Sequence, residues 1–127
     1  MLGADLLATH GHWITPEDSP RRFDTIFFAA ETPPGQEALH DGVELTDHVW
    51  LRPEQGLAEY RAGRRQMILP TWANLETLLG FGCAADALAA SRLRSLVPIL
   101  PVLKERNGKR RIEIPAGAGY PTLEELL

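Results

Sequence analysis

Apolar positions divide the chain into short runs separated by turn-forming residues. Leu6 to Ile14 reads as a first strand, and Phe23 to Ala30 is dense enough in aromatic and β-branched residues for a buried second strand. Between them Pro16 and Pro20 fix φ and restrict the residues before them, so the stretch after Thr15 is a shaped loop and not a helix. Thr32-Pro33-Pro34-Gly35 closes the second strand. Val43 to Leu51 reads as a third strand in which Val43, Leu45 and Val49 lean one way, with the alternation broken around Asp47-His48.

The period then changes. Pro53 suits a helix N-terminus and Glu54 stands where the helix dipole favours negative charge; Leu57 and Tyr60 share the inner face. Thr71 is expected to cap a second helix, whose Trp72, Leu75, Leu78 and Leu79 follow helical spacing until Gly80 and Gly82 stop it. A third helix is expected from Ala84 to Leu96, ending before Pro98. Ile99 to Lys104 and Arg110 to Ile114 flank Asn107-Gly108, the strongest short-range hairpin signal in the chain. The order β-β-β-α-α-α-β-β predicts an α+β fold in a single domain over residues 1–127.

Composition narrows the function classes. At 127 residues the chain can bury roughly two-thirds of its unfolded surface in one core. A formal net charge of −4 argues against general binding to nucleic acid or to anionic membranes. The basic clusters at Arg61-Arg64-Arg65 and Lys104 to Arg111 are expected to be solvated faces. No window approaches the ~20 apolar residues of a membrane span, and Met1 to His12 lacks a basic leader, so the expected location is cytoplasmic. The lone Cys83, among small apolar neighbours, excludes an internal disulfide and is expected to be buried and structural.

Candidate chemistry is sparse. Arg21 and Arg22 stand at the mouth of the second predicted strand, where paired guanidiniums can clamp phosphate or carboxylate. Alternatively Arg22 pairs with Asp24 across the strand mouth and Arg21 stays in solvent. His10 and His12 sit two apart on a predicted strand, hence on one face, and could chelate a metal. No third ligand is identifiable, and the simpler expectation is a pair of partly exposed histidines. Nor does spacing suggest a Ser-His-Asp or Cys-His arrangement, so no catalytic residue is assigned.

Several blocks follow one another in a familiar order. Trp13-Ile14-Thr15-Pro16 precedes Arg21-Arg22-Phe23-Asp24-Thr25 and Phe27-Phe28; then come Glu44, Trp50-Leu51-Arg52-Pro53-Glu54 and Leu69-Pro70-Thr71. Pro101, the Asn107-Gly108 turn, Ile112 to Pro115 and Gly119-Tyr120-Pro121 complete the series. Over nearly its whole length the chain thereby resembles a branch of the Nudix hydrolase superfamily whose members include coenzyme A diphosphatases. The resemblance implies a truncated Nudix-like α/β/α sandwich: a mixed sheet, about three helices and a C-terminal hairpin. It also implies kinship with metal-dependent pyrophosphohydrolases of nucleoside diphosphate derivatives, coenzyme A among them. In that light an arginine of the 21–22 pair would contact a nucleotide or coenzyme A phosphate with Asp24 orienting it. Glu44 would be an accessory metal ligand of the kind such enzymes recruit.

The family's defining box, with its Arg-Glu and Glu-Glu pairs and metal-holding glutamates, is missing. The Glu-Glu pair here, Glu124-Glu125, has no Arg-Glu before it and no glycine after it. In the family the box precedes the Trp-Ile-Thr-Pro segment, so the chain resembles a C-terminal portion. Mg²⁺ or Mn²⁺ is therefore expected only if the missing N-terminal part is supplied. Two expectations follow: a Nudix-like protein inactive as this isolated chain, or a non-catalytic module that binds a ligand or associates with itself. A homodimer is expected, because a domain without its leading strands leaves an open sheet edge and an apolar face. The helices from Pro53 to Leu96 are the alternative cover.

Overall fold

The computed structural model describes residues 3–120; Met1, Leu2, Pro121 and the Glu124-Glu125 pair lie outside the described residues. Strand β1 (Leu7–Ile14) pairs antiparallel with β2 (Asp24–Ala30), as the β-former runs predict. Helices α1 (Pro53–Arg61), α2 (Leu69–Leu78) and α3 (Ala84–Leu93) follow. Strand β3 (Pro98–Ile99) adds parallel to β1, giving a mixed sheet of order β2-β1-β3, and β4 (Val102–Arg106) forms a separate hairpin with β5 (Lys109–Glu113). The described residues thus make an α+β fold of three helices, a three-stranded sheet and a two-stranded sheet. None of these helices is long and apolar enough to cross a membrane.

The β1–β2 register slips between Thr9 and Gly11, leaving His10 as an inserted residue. One extra residue resets the two-residue alternation of a strand. Here it places His10 against Thr77 of α2 and Ser91 of α3, while His12 bonds Asp24 at the sheet's edge strand. The two histidines therefore do not share a face, and His10 is buried, contrary to the regular alternation expected of this strand.

Trp13, Ala73, Ile99 and Ala118 are the buried centre, with Phe27, Leu69, Trp72 and Ile114 packed around them. Ala73 and Ala118 are small enough to let α2 and the C-terminal segment close over the Trp13 indole. Leu57 is buried under the neighbouring α1–α2 contact, where a Cβ on Gly56 would sit 3.4 Å from Leu75. Tyr60, on that same helix, stacks over Trp72 at 6.4 Å.

Several boundaries differ from expectation. Residues 31–52 contain no strand: Val43 is 87% exposed, and its N–H and that of Leu45 donate to Asp41 Oδ1. A local side-chain turn has captured the donors that a ladder would have used. Helix α2 begins at Leu69, not after Thr71, because Pro70 is tolerated in a first helical turn. Helix α3 ends at Leu93, since Arg94 is already extended. The arm from Ile99 is split by Pro101, which has no N–H to donate; Ile99 joins β1 and the hairpin starts at Val102. Asn107 and Gly108 have φ of 55° and 73°, as a type I′ turn requires. Cys83 is exposed where the chain turns into α3, not buried.

Candidate ligand cleft and its arginine rim

The loop carrying the arginines is closed by Thr15 and Phe23. Thr15 N–H donates to Phe23 O at 2.9 Å, and Phe23 N–H donates to Thr15 Oγ1 at 2.9 Å. Ser19 N–H donates to Pro16 O at 3.1 Å, making the turn that the two prolines prepare. Arg22 Nε donates to Thr15 O at 3.2 Å, which draws its guanidinium stem back across the loop, and Arg21 is exposed.

Asp24 does not pair with Arg22. Its Oδ1 lies 2.5 Å from His12 Nε2, on the sheet face turned away from the helices. The Asp24 side chain is 68% exposed, so the pair adds at most about 1 kcal/mol. The geometry thus brings Arg21 and Arg22 to one loop and directs Asp24 elsewhere.

Beside that loop lies a cleft of about 400 Å³ with an almost wholly apolar wall. The 13–16 segment and Phe23 form one side, Phe27 the sheet-derived back, and the 68–70 segment leading into α2 the other side. Leu103 and Ile112 of the hairpin close the end. Arg22, held on Thr15, stands next to a residue that lines this cleft. The cleft is an apolar slot of a size common for small-molecule sites; neither Arg21 nor Arg22 lines it, and Arg22 adjoins it through Thr15.

The Trp13 wall is held from behind. Its Nε1 donates to Tyr120 Oη at 3.1 Å, and Tyr120 Oη donates to Asn74 Oδ1 at 2.6 Å. Burial pushes the Tyr120 phenol above its usual pKa, opposed by the Trp13 bond and by Arg94, whose guanidinium lies 4.4 Å from the ring centre. Gly11 leaves the room for this network: a Cβ there would approach Tyr120 Oη to 2.4 Å. The sequence offered one signal for this arrangement, a glycine inside a strand, which marks a bulge or a close approach.

Glu44 stands exposed in the 31–52 loop. Among the described residues no three His, Cys, Asp or Glu side chains gather as a possible ion site. The described donor set does not fit Mg²⁺ or Mn²⁺. His40 and His48 face each other in the same loop at 3.1 Å, without a third donor among the described residues. In the basic 61–65 segment Arg64 makes a bidentate contact with Glu59 and Arg61 bonds Glu76, while both arginines remain largely exposed, as expected of a solvated face. Compared with family models, curated proteins and solved structures, the chain matches none.

Proposed function

We propose that this chain is a Nudix-like ligand-binding domain that does not hydrolyse diphosphates in isolation. Its cleft receives the apolar part of a nucleoside diphosphate derivative, with coenzyme A as the leading candidate, and Arg21 and Arg22 meet the phosphates. One observation carries this reading. The Trp-Ile-Thr-Pro and Arg-Arg-Phe-Asp-Thr blocks, neighbours across the β1–β2 connection, share one cleft with the Leu-Pro-Thr block and the C-terminal hairpin, which are distant in sequence. Asp24 keeps only an indirect part, through the His12 pair that fixes the start of β2. Catalysis would need an acidic cluster from outside this chain, and Glu44 would join it only if the 31–52 loop moved toward the cleft. A cytoplasmic setting suits the exposed Cys83 thiol, which would stay reduced there.

Calorimetric titration with coenzyme A is the test, alongside a turnover assay with Mg²⁺ or Mn²⁺. Arg21→Ala and Arg22→Ala together should weaken binding roughly tenfold or more, the worth of a charge-assisted contact of about 1.5–3 kcal/mol, with little change in melting temperature. Equal binding by wild type and the double variant would refute the arginine role. Metal-dependent turnover by the pure chain would refute the non-catalytic reading.

Self-association is a second property that a specific feature favours. Strand β2 is an edge, and Ile26 and Phe28 on it are 44% and 56% exposed. Phe27 alone of that aromatic group packs toward the core. The helices cover one face of the sheet, and a symmetric partner would cover the other.

A further inference from the structure

A second cavity, of about 480 Å³, opens on the helix side of the sheet, between the bulge at His10, helices α2 and α3, and Gly119. Among the described residues its wall carries His10 and Arg94 and no acidic side chain. Phe81 and Ala90 supply apolar surface. Volume and lining fall within the range of small-molecule sites, about 300–1,000 Å³.

His10 is 6% exposed, and both ring nitrogens are engaged: Nδ1 lies 2.8 Å from Ser91 Oγ and Nε2 lies 2.8 Å from Thr77 Oγ1. Each hydroxyl has a single hydrogen. Ser91 Oγ also lies 2.9 Å from Ala87 O, and Thr77 Oγ1 lies 2.6 Å from Asn74 O. If both hydroxyls donate to those helix carbonyls, both ring nitrogens must carry hydrogen, and the ring is an imidazolium. If the ring is neutral, one hydroxyl must leave its carbonyl to serve the bare nitrogen. Either state is satisfiable, and they differ by one proton.

Burial holds the ring toward the neutral form, and the Arg94 charge adds to that, against the opposing contribution of the Asn74 backbone. Among the described residues no carboxylate pairs with Arg94: its Nη2 donates to Gly119 O at 2.9 Å, and the Tyr120 ring supports the guanidinium plane. The groups facing His10 are Thr77 and the Asn74 carbonyl from α2, and Ser91 from α3 with Arg94 just beyond it. Tyr120 lies on the far side of Arg94.

We propose that this cavity is a second binding site, for a small monocarboxylate with an apolar body, and that filling it is coupled to uptake of a proton by His10. A carboxylate matches the planar donor fork of the Arg94 guanidinium, whose contacts among the described residues are to the Ala118 and Gly119 carbonyls through Nη2 and to the Tyr120 ring, and its charge offsets the repulsion that Arg94 exerts on an imidazolium. The proton comes from solvent. Once bound, it restores both hydroxyls to their helix carbonyls. The apolar body rests on Phe81 and Ala90.

The full chain would be titrated calorimetrically with phenylacetate and with hexanoate, using phenylacetamide as the neutral match for the first. Measurements near neutral pH in buffers of different ionisation enthalpy count the protons. Saturable binding of the acids is expected, roughly tenfold or more tighter than the amide, with fractional proton uptake per ligand that grows as the pH is lowered from neutral toward the ordinary histidine pKa of about 6.5. Arg94→Gln should weaken the acids by about the same factor. His10→Gln should still bind but take up no proton. Should either variant fail to fold, the His10 ring signals of the unmodified chain decide by NMR: their titration must move to higher pH when phenylacetate is added. Failure of both acids to saturate, equal binding of the amide, absence of proton uptake, or an unmoved His10 titration would each overturn the proposal. Coenzyme A binding in the separate cleft has no part in any of these outcomes.

Discussion

Replacing Gly11 by alanine should be among the most damaging single-methyl changes in this chain. The added Cβ would stand 2.4 Å from Tyr120 Oη, 2.9 Å from Asn74 Oδ1 and 3.3 Å from Trp13 Nε1. The nearest of these ends a rigid aromatic side chain, clamped between the Trp13 edge at 5.0 Å and the Arg94 guanidinium, so it cannot simply swing aside. Forcing a methyl into a packed site costs about 1–3 kcal/mol. Displacing Tyr120 also breaks a hydrogen bond to a buried group, costing about 1–3 kcal/mol more. Alanine stiffens the unfolded chain and gives back about 0.4–1 kcal/mol. A net loss on the order of 2–4 kcal/mol is expected from these contributions. Urea unfolding followed by tryptophan fluorescence would measure it as a lower midpoint at unchanged slope. Tyr120→Phe removes the colliding oxygen, so in a double-mutant cycle the pair should be less destabilised than the sum of the single changes. Wild-type stability in Gly11→Ala, or strict additivity with Tyr120→Phe, would refute the packing argument.

The remaining predictions concern His10 and the sheet. Because the His10 pKa is lowered by folding, the unfolded chain binds more protons. Stability should therefore be full above the unfolded value of about 6.5, decline as pH falls through it, and level off below the folded pKa; melting temperatures across a pH series should show this, and His10→Gln should flatten that part of the curve. Sedimentation at micromolar concentrations should show a concentration-dependent dimer that Ile26→Lys with Phe28→Lys converts to monomer; a wild-type monomer at every concentration would mean that the sheet's outer face stays bare.

Legibility in the sequence varied with how local the cause was. The β1 and β2 runs, Pro53 as a helix start and Asn107-Gly108 as a hairpin turn are all set by residues within a few positions, and the structure contains each. The expected 43–51 strand failed because apolar alternation does not create a neighbour to pair with, and Asp41 offered the backbone donors a closer partner. The histidine pair was misplaced because an inserted residue changes side-chain direction without altering composition. In the cleft, Trp13, Phe23 and Leu69 belong to recognisable sequence blocks, whereas their meeting was not legible. Ser91, Thr77 and Arg94 around His10 carry no signal in the sequence, since the contacts span up to 81 positions.

The buried centre joins Trp13 to Ala73, Ile99 and Ala118, so its members come from both ends of the chain. During synthesis the β1–β2 hairpin leaves the ribosome long before the residues that complete its core. At about 5–20 residues per second, the wait between Trp13 and Ala118 lasts roughly 5–20 seconds. Throughout that interval the hairpin shows apolar side chains on both faces, Phe27 as well as Ile26 and Phe28. A nascent chain of this kind is a natural client for a ribosome-associated chaperone, and its yield should depend on translation speed more than its final stability would suggest.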